Sequence, residues 1–362
     1  MNFSRRSLLY LGGATALTTF PLPASANAPP ARWMGCRQVG EGHYATLFNG
    51  AGTVLLDVPL PGRGHDIVPS PVGKSTVVMA RRPGTFALVI DLTSGETLHE
   101  LNASSGHHFY GHGCFSPDGN WLYTTENHYE TGEGVVGVRN ARQDFDLEGH
   151  FSSGGIGPHE LVLMPDGKTL AIANGGIHTH PDAGRTKLNL DTMVPSLSLV
   201  DRTTGKRDAI HRLSAEHHQL SIRHLAAGPQ GLALALQYEG PKRHRVPLLA
   251  LYQNDELKLA ETPEPVAKAM RNYAGSVTYD ASGELVALTC PRGNLVSFWS
   301  ARDGSYLGSH TAHDVCGIVA LEQPGTFEIT AGSIAFQATL EATKSPAQFA
   351  ETKWDNHLVS IA

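Results

Sequence analysis

Nineteen of the 362 residues are histidine, and imidazole is the commonest protein ligand for transition metals. Six of them recur in comparable places. His65, His112, His159, His224, His313 and His357 each stand at or just before a short apolar run. Forty-seven residues separate His65 from His112, and another forty-seven separate His112 from His159. His112 and His224 stand five residues before a proline (Pro117, Pro229), and His65 and His159 stand six before one (Pro71, Pro165). Imidazoles gathered at one place would repel one another if protonated, and would form a ready metal site if neutral. Iron and copper are the ions favoured for such a set. The competing role is structural, with each histidine fastening neighbouring strands by a hydrogen bond.

A second set of residues surrounds this pattern. Arg82, Arg223 and Arg292 suit the oxygens of an anion, because a guanidinium presents a planar fork of donors. Glu126 and Asn127 are further candidates for that ligand, and His178 and His180, in His178-Thr-His180-Pro-Asp182, are further candidates for the metal. Together they point to a metal ion or an anionic metal chelate. Asp66, Glu160, Asp314 and Asp355 flank the recurrent histidines. Strict strand alternation directs them to the opposite side, where they serve as supports for a ligand or as fasteners. Cys114, two residues past His112, faces the same way as that histidine and is either a deeper soft ligand or, more simply, a buried inert thiol. No residue is identifiable as a nucleophile, since neither a G-x-S-x-G elbow nor a phosphate loop occurs.

The elements that position these residues follow from a repeat. Phe115-Ser-Pro-Asp-Gly119, Met164-Pro-Asp-Gly167 and Tyr279-Asp-Ala-Ser-Gly283 each join two apolar runs, with weaker copies at 69–73 and 227–231. Proline fixes φ and glycine accepts positive φ, so each is a hairpin turn. A second hairpin follows, turning through Ser94-Gly95, Thr204-Gly205 or Asp303-Gly304. Four strands per unit at this period describe a propeller blade. Seven units start at His65, His112, His159, His224, Gly275–Ser276, His313 and His357. The last supplies only an inner strand, and the segments Met34–Val39, Tyr44–Phe48 and Thr53–Val58 lack one. The chain is thus expected to be all-β: a seven-bladed propeller closed by pairing the N- and C-terminal strands, one domain over 28–362. The innermost strands line the axis, so the six histidines converge on one mouth. The loops after the second strands, including the long insert 175–195, open on the same face. Long ordered loops of this kind are usually functional.

Residues 1–26 read as an address rather than as fold. Ser4-Arg5-Arg6-Ser7 is a twin-arginine pattern, followed by an apolar stretch and a small-residue cleavage box at Ala24-Ser25-Ala26. Its removal changes the net charge from -6 to -6 - 2 = -8. The expected location is the periplasm. The twin-arginine route carries folded cargo, which suits a protein loaded with metal before export. An acidic chain is a poor partner for nucleic acid, and no apolar run is long enough to span a bilayer. Four cysteines leave any disulfide pairing open. Ring closure removes most exposed edges and makes a monomer adequate.

Further motifs carry a resemblance. Gly111-His112-Gly113, Thr124-Thr-Glu-Asn127, Gly157-Pro-His-Glu160, Ala173-Asn-Gly-Gly-Ile177, Lys187-Leu-Asn-Leu-Asp-Thr-Met193, Ser221-Ile-Arg-His-Leu225, Pro291-Arg-Gly293 and Asp355-Asn-His357 occur together. With them the chain resembles, over nearly its whole length, the bacterial exported family catalogued as domain of unknown function 1513. The resemblance implies a propeller-like fold and genes lying beside imelysin-type and dihaem-peroxidase-like genes, hence a part in periplasmic iron or metal acquisition. It assigns no catalytic residue. Three functions compete on these grounds. The first is a metal- or chelate-binding accessory factor for uptake, working with periplasmic uptake proteins. The second is a metal-dependent redox or hydrolytic enzyme on the propeller axis. The third is a metal-free interaction platform.

Overall fold

Turn chemistry organises the chain in the computed structural model, which describes residues 31–361 apart from Pro83 and Arg185. The twin-arginine segment lies outside the described residues. The first three strands are β1 (Arg32–Val39), β2 (Gly42–Asn49) and β3 (Val54–Leu60). The next blade holds β4 (Gly64–Pro69), β5 (Ser75–Ala80), β6 (Phe86–Asp91) and β7 (Thr97–Asn102). Then come β8 (His107–Phe115), β9 (Trp121–His128), β10 (Glu133–Asn140) and β11 (Asp146–Ser152). The long insert interrupts the following blade, of β12 (Pro158–Leu163), β13 (Thr169–Asn174), β14 (Ser196–Asp201) and β15 (Arg207–Arg212). After it stand β16 (Leu220–Gly228), β17 (Gly231–Tyr238), β18 (Leu249–Gln253) and β19 (Glu256–Leu259). A short helix, α1 (Glu264–Ala269), leads to β20 (Ser276–Tyr279), β21 (Leu285–Cys290), β22 (Leu295–Ser300) and β23 (Tyr306–Thr311). Last come β24 (Val315–Ala320), β25 (Phe327–Ala331), β26 (Ile334–Ala338), β27 (Ala347–Gln348) and β28 (Thr352–Ile361).

These strands form seven four-stranded antiparallel sheets. β28 pairs with β1 along its length, so the chain's two ends complete one blade in the order β28-β1-β2-β3. The expected seven-bladed propeller with this closure is what the chain builds. Strands β4, β8, β12, β16, β20, β24 and β28 are innermost, and each packs on the next around the ring. Apolar side chains fill the spaces between sheets, with Trp299, Phe298, Tyr123 and Phe327 among the largest fully buried. A sheet apolar on both faces can be stable only when neighbours cover it, which is why the blades close into a ring.

The inner strands are not regular. Pairing slips between Gly64 and Ile67, Phe109 and Gly113, Pro158 and Glu160, and Ile222 and His224. It slips again where β28 meets β1, between Leu358 and Trp354. Each irregularity contains or adjoins one of the recurrent histidines. A bulge breaks the alternation of side chains and re-aims the residues within it. β20, whose blade has no axial histidine, keeps an unbroken ladder from Ser276 to Tyr279.

Candidate metal centre

Five imidazoles meet on the axis: His65 from β4, His112 from β8, His159 from β12, His224 from β16 and His357 from β28. All five are buried, His112 completely. Ring centroids of His112 lie 4.7 Å from His65, 4.9 Å from His159, 5.5 Å from His224 and 4.8 Å from His357. His65–His357, His159–His224 and His224–His357 are 4.6, 4.7 and 4.7 Å apart. The longer pairs are His65–His159 at 5.9 Å and His65–His224 at 6.3 Å. In two trios, His65–His112–His159 and His112–His224–His357, one nitrogen from each ring lies within 4.8 Å of the others. Glycine makes the approach possible. Gly111 has φ +107°, and a Cβ there would come within 3.0 Å of Ala80 O and His65 Cδ2.

Carboxylates support three of these rings, each from the preceding blade. Asp355 Oδ1 lies 3.1 Å from His65 Nδ1, Glu160 Oε2 lies 2.8 Å from His224 Nδ1, and Asp66 Oδ2 lies 3.3 Å from His112 Nδ1. The Asp66 contact is off the line of a hydrogen bond, so His112 Nδ1 is buried without a partner. The other nitrogens face inward. His65 Nε2 and His112 Nε2 are 3.1 Å apart, and His357 Nε2 is buried with no hydrogen-bond partner. Alternation had directed the acids away from the histidines. The bulges instead turn Asp66, Glu160 and Asp355 along the ring, each toward the next blade's imidazole.

Burial holds His65, His159 and His224 well below the ordinary imidazole range, and carries His357 down to about 3. For His65 the hydrogen bond to Asp355 opposes this, and the charges of Arg81, His357 and His112 add to it. The four rings are therefore neutral at pH 7, the form that binds metal. Asp355 is ionised despite its burial, because the His65 hydrogen bond and the charges of Arg81 and Arg63 outweigh desolvation. Arg81 Nη1 and Arg63 Nε donate to it at 2.6 and 2.5 Å. Burial, with Asp66 nearby, pushes the Glu160 carboxyl up.

Above the rings lies a small pocket of about 40 Å³ lined by His65, His159, His224, Arg81, Arg82, Arg223, Tyr110, Gln237, Tyr273 and Asn356. Arg82 Nη1 donates to Thr179 Oγ1 of the insert at 2.8 Å. Arg223 sits in the β16 bulge, with its Nε buried and unpartnered. Burial lowers its pKa to about 10, against the opposing influence of Tyr273 and Glu239. Arg292 lies over the Tyr273 ring at 4.2 Å. Arg292 also reaches a separate open cleft of about 730 Å³, where Lys242 and Arg245 of the same face lie.

Other expected residues are elsewhere. His313 is exposed in the turn before β24 and does not join the ring. The chain turns at Asp314, φ 52°, and the slip in this blade's inner strand falls at Cys316–Gly317. A sequence signal existed: the next proline, Pro324, is eleven residues past His313 rather than five or six. Glu126 is fully buried within its own blade, held by Thr124, Arg139 and His150, and does not line the pocket. Asn127 is also buried; its amide donates to Thr179 O at 3.1 Å and so anchors the insert behind Arg82. His178 and His180 lie in the insert away from the axis, His178 against Gly132 and His180 beside Tyr129. Cys114 packs beside the apolar cluster of Tyr123 and Leu161, and burial raises its thiol far above the ordinary range. The four cysteines are all free. Tyr273 precedes the one blade start that lacks a histidine, whereas nothing in the spacing of Asn356 and Gln237 marks them as pocket residues.

A family model described as protein of unknown function (DUF1513) matches residues 58–361. The chain belongs to that family. The matched span takes in all five axial histidines. No curated protein matches the chain in sequence. Among solved structures, the hydrazine synthase of Kuenenia stuttgartiensis is similar at 15% identity and a TM-score of 0.56, covering 78% of each chain. The Cps50 (Swd1) β-propeller domain of Myceliophteria thermophila is similar at 12% identity and a TM-score of 0.57, over 82% of this chain and 93% of that one. Likeness at such identities concerns the fold alone. No helix of the described residues is long and apolar enough to cross a membrane.

Proposed function

We propose that this propeller binds one transition-metal ion among His65, His112, His159, His224 and His357. The observation that carries the reading is the spacing of the rings. A metal–nitrogen bond of about 2.1 Å puts each ring centroid about 3.2 Å from the ion, so rings at right angles stand about 4.5 Å apart and opposed rings about 6.4 Å apart. Nine of the ten ring pairs stand 4.6–6.3 Å apart, inside that interval, and the two trios that share His112 each bring three nitrogens together. His112 stands nearest the apical place of a five-nitrogen set. His65 Nε2 and His112 Nε2 meet at 3.1 Å, the separation of two nitrogens bound side by side to one ion at about 2.1 Å. Asp355, Asp66 and Glu160 would orient the ligands as carboxylates do behind metal-bound imidazoles. Five nitrogens exceed the four of a usual zinc site and suit iron or copper.

The protein is, on this reading, a periplasmic accessory factor in iron or metal uptake, exported folded through the twin-arginine signal at residues 1–26, and the domain that does the work begins near residue 28. The metal arrives as the free ion or in an anionic chelate whose oxygens meet the arginines. The pocket above the rings also favours a second reading, an enzyme using an open metal position. Metal analysis tests the proposal. Protein isolated from cells supplied with iron and copper should carry one ion per chain, and His112→Ala/His159→Ala should carry none while staying folded. Folded wild-type protein that takes up no iron, copper or other transition metal would leave the interaction platform.

A further inference from the structure

We propose that the pocket over the five histidines binds a small oxyanion, which completes the metal's coordination. The inference rests on the metal reading for its second half only. Three guanidiniums, those of Arg81, Arg82 and Arg223, line the pocket, and no carboxylate does so among the described residues. Arg81 is already paired with Asp355 at 2.6 Å. Arg223 has no such counter-ion. Its Nε is buried without a hydrogen-bond partner, and an unmet buried donor is costly to the fold. An acceptor that carries charge answers both deficits at once, which a neutral ligand does not.

Size and floor narrow the ligand. A volume of about 40 Å³ accommodates a few atoms, as in a planar three-oxygen or a tetrahedral four-oxygen anion. Side chains able to donate to its oxygens surround it: Arg82, Arg223, Tyr110 and Gln237. Its floor is His65, His159 and His224, so an oxygen that enters lies next to the ion those rings hold. The β16 bulge supplies both parts, because it places Arg223 and His224 side by side on the axis. The site is thus an anion cradle built onto a metal centre, and the anion is the sixth ligand.

The test uses full-length metal-free protein in a buffer without coordinating anions. Cobalt(II) is titrated alone, with bicarbonate and with phosphate, followed by its visible bands. Separately, ¹³C-bicarbonate and phosphate are added to the metal-free protein and their NMR signals followed. One of the two anions should tighten cobalt binding by about tenfold or more, and the planar or tetrahedral class is whichever does so. Arg223→Gln should abolish that gain while keeping cobalt affinity without anion within about threefold, and Arg82→Gln should reduce it. If cobalt fails to bind at all, the metal reading fails, and the metal-free arm still decides the cradle. A bound-anion signal lost in Arg223→Gln supports it there. Cobalt affinity indifferent to both anions, or no bound signal in metal-free protein that also binds no cobalt, overturns it.

Discussion

Asp355 is the residue whose loss the structure makes most informative. Its carboxylate is 3% exposed and meets three cationic or donor groups: Arg81 at 2.6 Å, Arg63 at 2.5 Å and His65 Nδ1 at 3.1 Å. Asp355→Asn keeps the shape and removes the charge. Arg63 is half exposed and returns to water at little cost. Arg81, with a side chain 16% exposed, cannot. Leaving one partner of a buried ion pair uncompensated costs about 3–5 kcal/mol. Urea unfolding of metal-free protein at pH 7 should show a loss of that size with an unchanged m-value. The same change loosens the orientation of His65, and losing such a support typically weakens a metal by about 10–100-fold. Asp66→Asn separates the two effects. Asp66 faces His112 without a formed hydrogen bond and holds only its neighbour's amide otherwise, so it should lower metal affinity by a smaller factor and stability by no more than about 1 kcal/mol. Wild-type stability in Asp355→Asn would show that Arg81 is not left uncompensated, and wild-type metal affinity in both variants would show that the carboxylates do not orient the rings.

Other outcomes follow from the same geometry. His357 has a folded pKa of about 3 against 6.5 when unfolded, so the native state binds fewer protons and stability falls as pH drops below about 6.5. Between pH 7.5 and 5.5, wild-type metal-free protein should therefore lose about 1.4 kcal/mol more than His357→Gln, measured by urea unfolding at both values. Gly111→Ala places a Cβ against Ala80 O at positive φ and should destabilise by about 1–3 kcal/mol in the same assay. His313→Ala and His180→Ala, both off the axis, should leave metal stoichiometry unchanged and stability within about 0.5 kcal/mol.

The propeller was legible because turn residues repeat. Pro, Asp and Gly mark the first hairpin of most blades, and the termini each hold complementary parts of one blade. Five axial histidines were legible for the same reason: their distance to the next turn is nearly constant, or, for His357, the strand itself closes the ring. His313 was misplaced because its blade has no turn at that distance to fix the register. The bulges were not legible. A ladder slip has no residue signature of its own, so strict alternation directed Asp66, Glu160 and Asp355 away from their own strands' histidines and did not show that each meets the next blade's imidazole. Glu126 misled for a different reason. Its position beside a loop suggested the mouth, whereas it sits inside β9 with three partners of its own.

Anomalous diffraction from crystals of metal-loaded protein locates the ion itself. A single anomalous peak is expected on the axis, about 2.0–2.3 Å from nitrogens of His65, His112, His159, His224 and His357. A peak elsewhere, for instance at His178 and His180, or no axial peak in protein that carries stoichiometric metal, would contradict binding among these five rings.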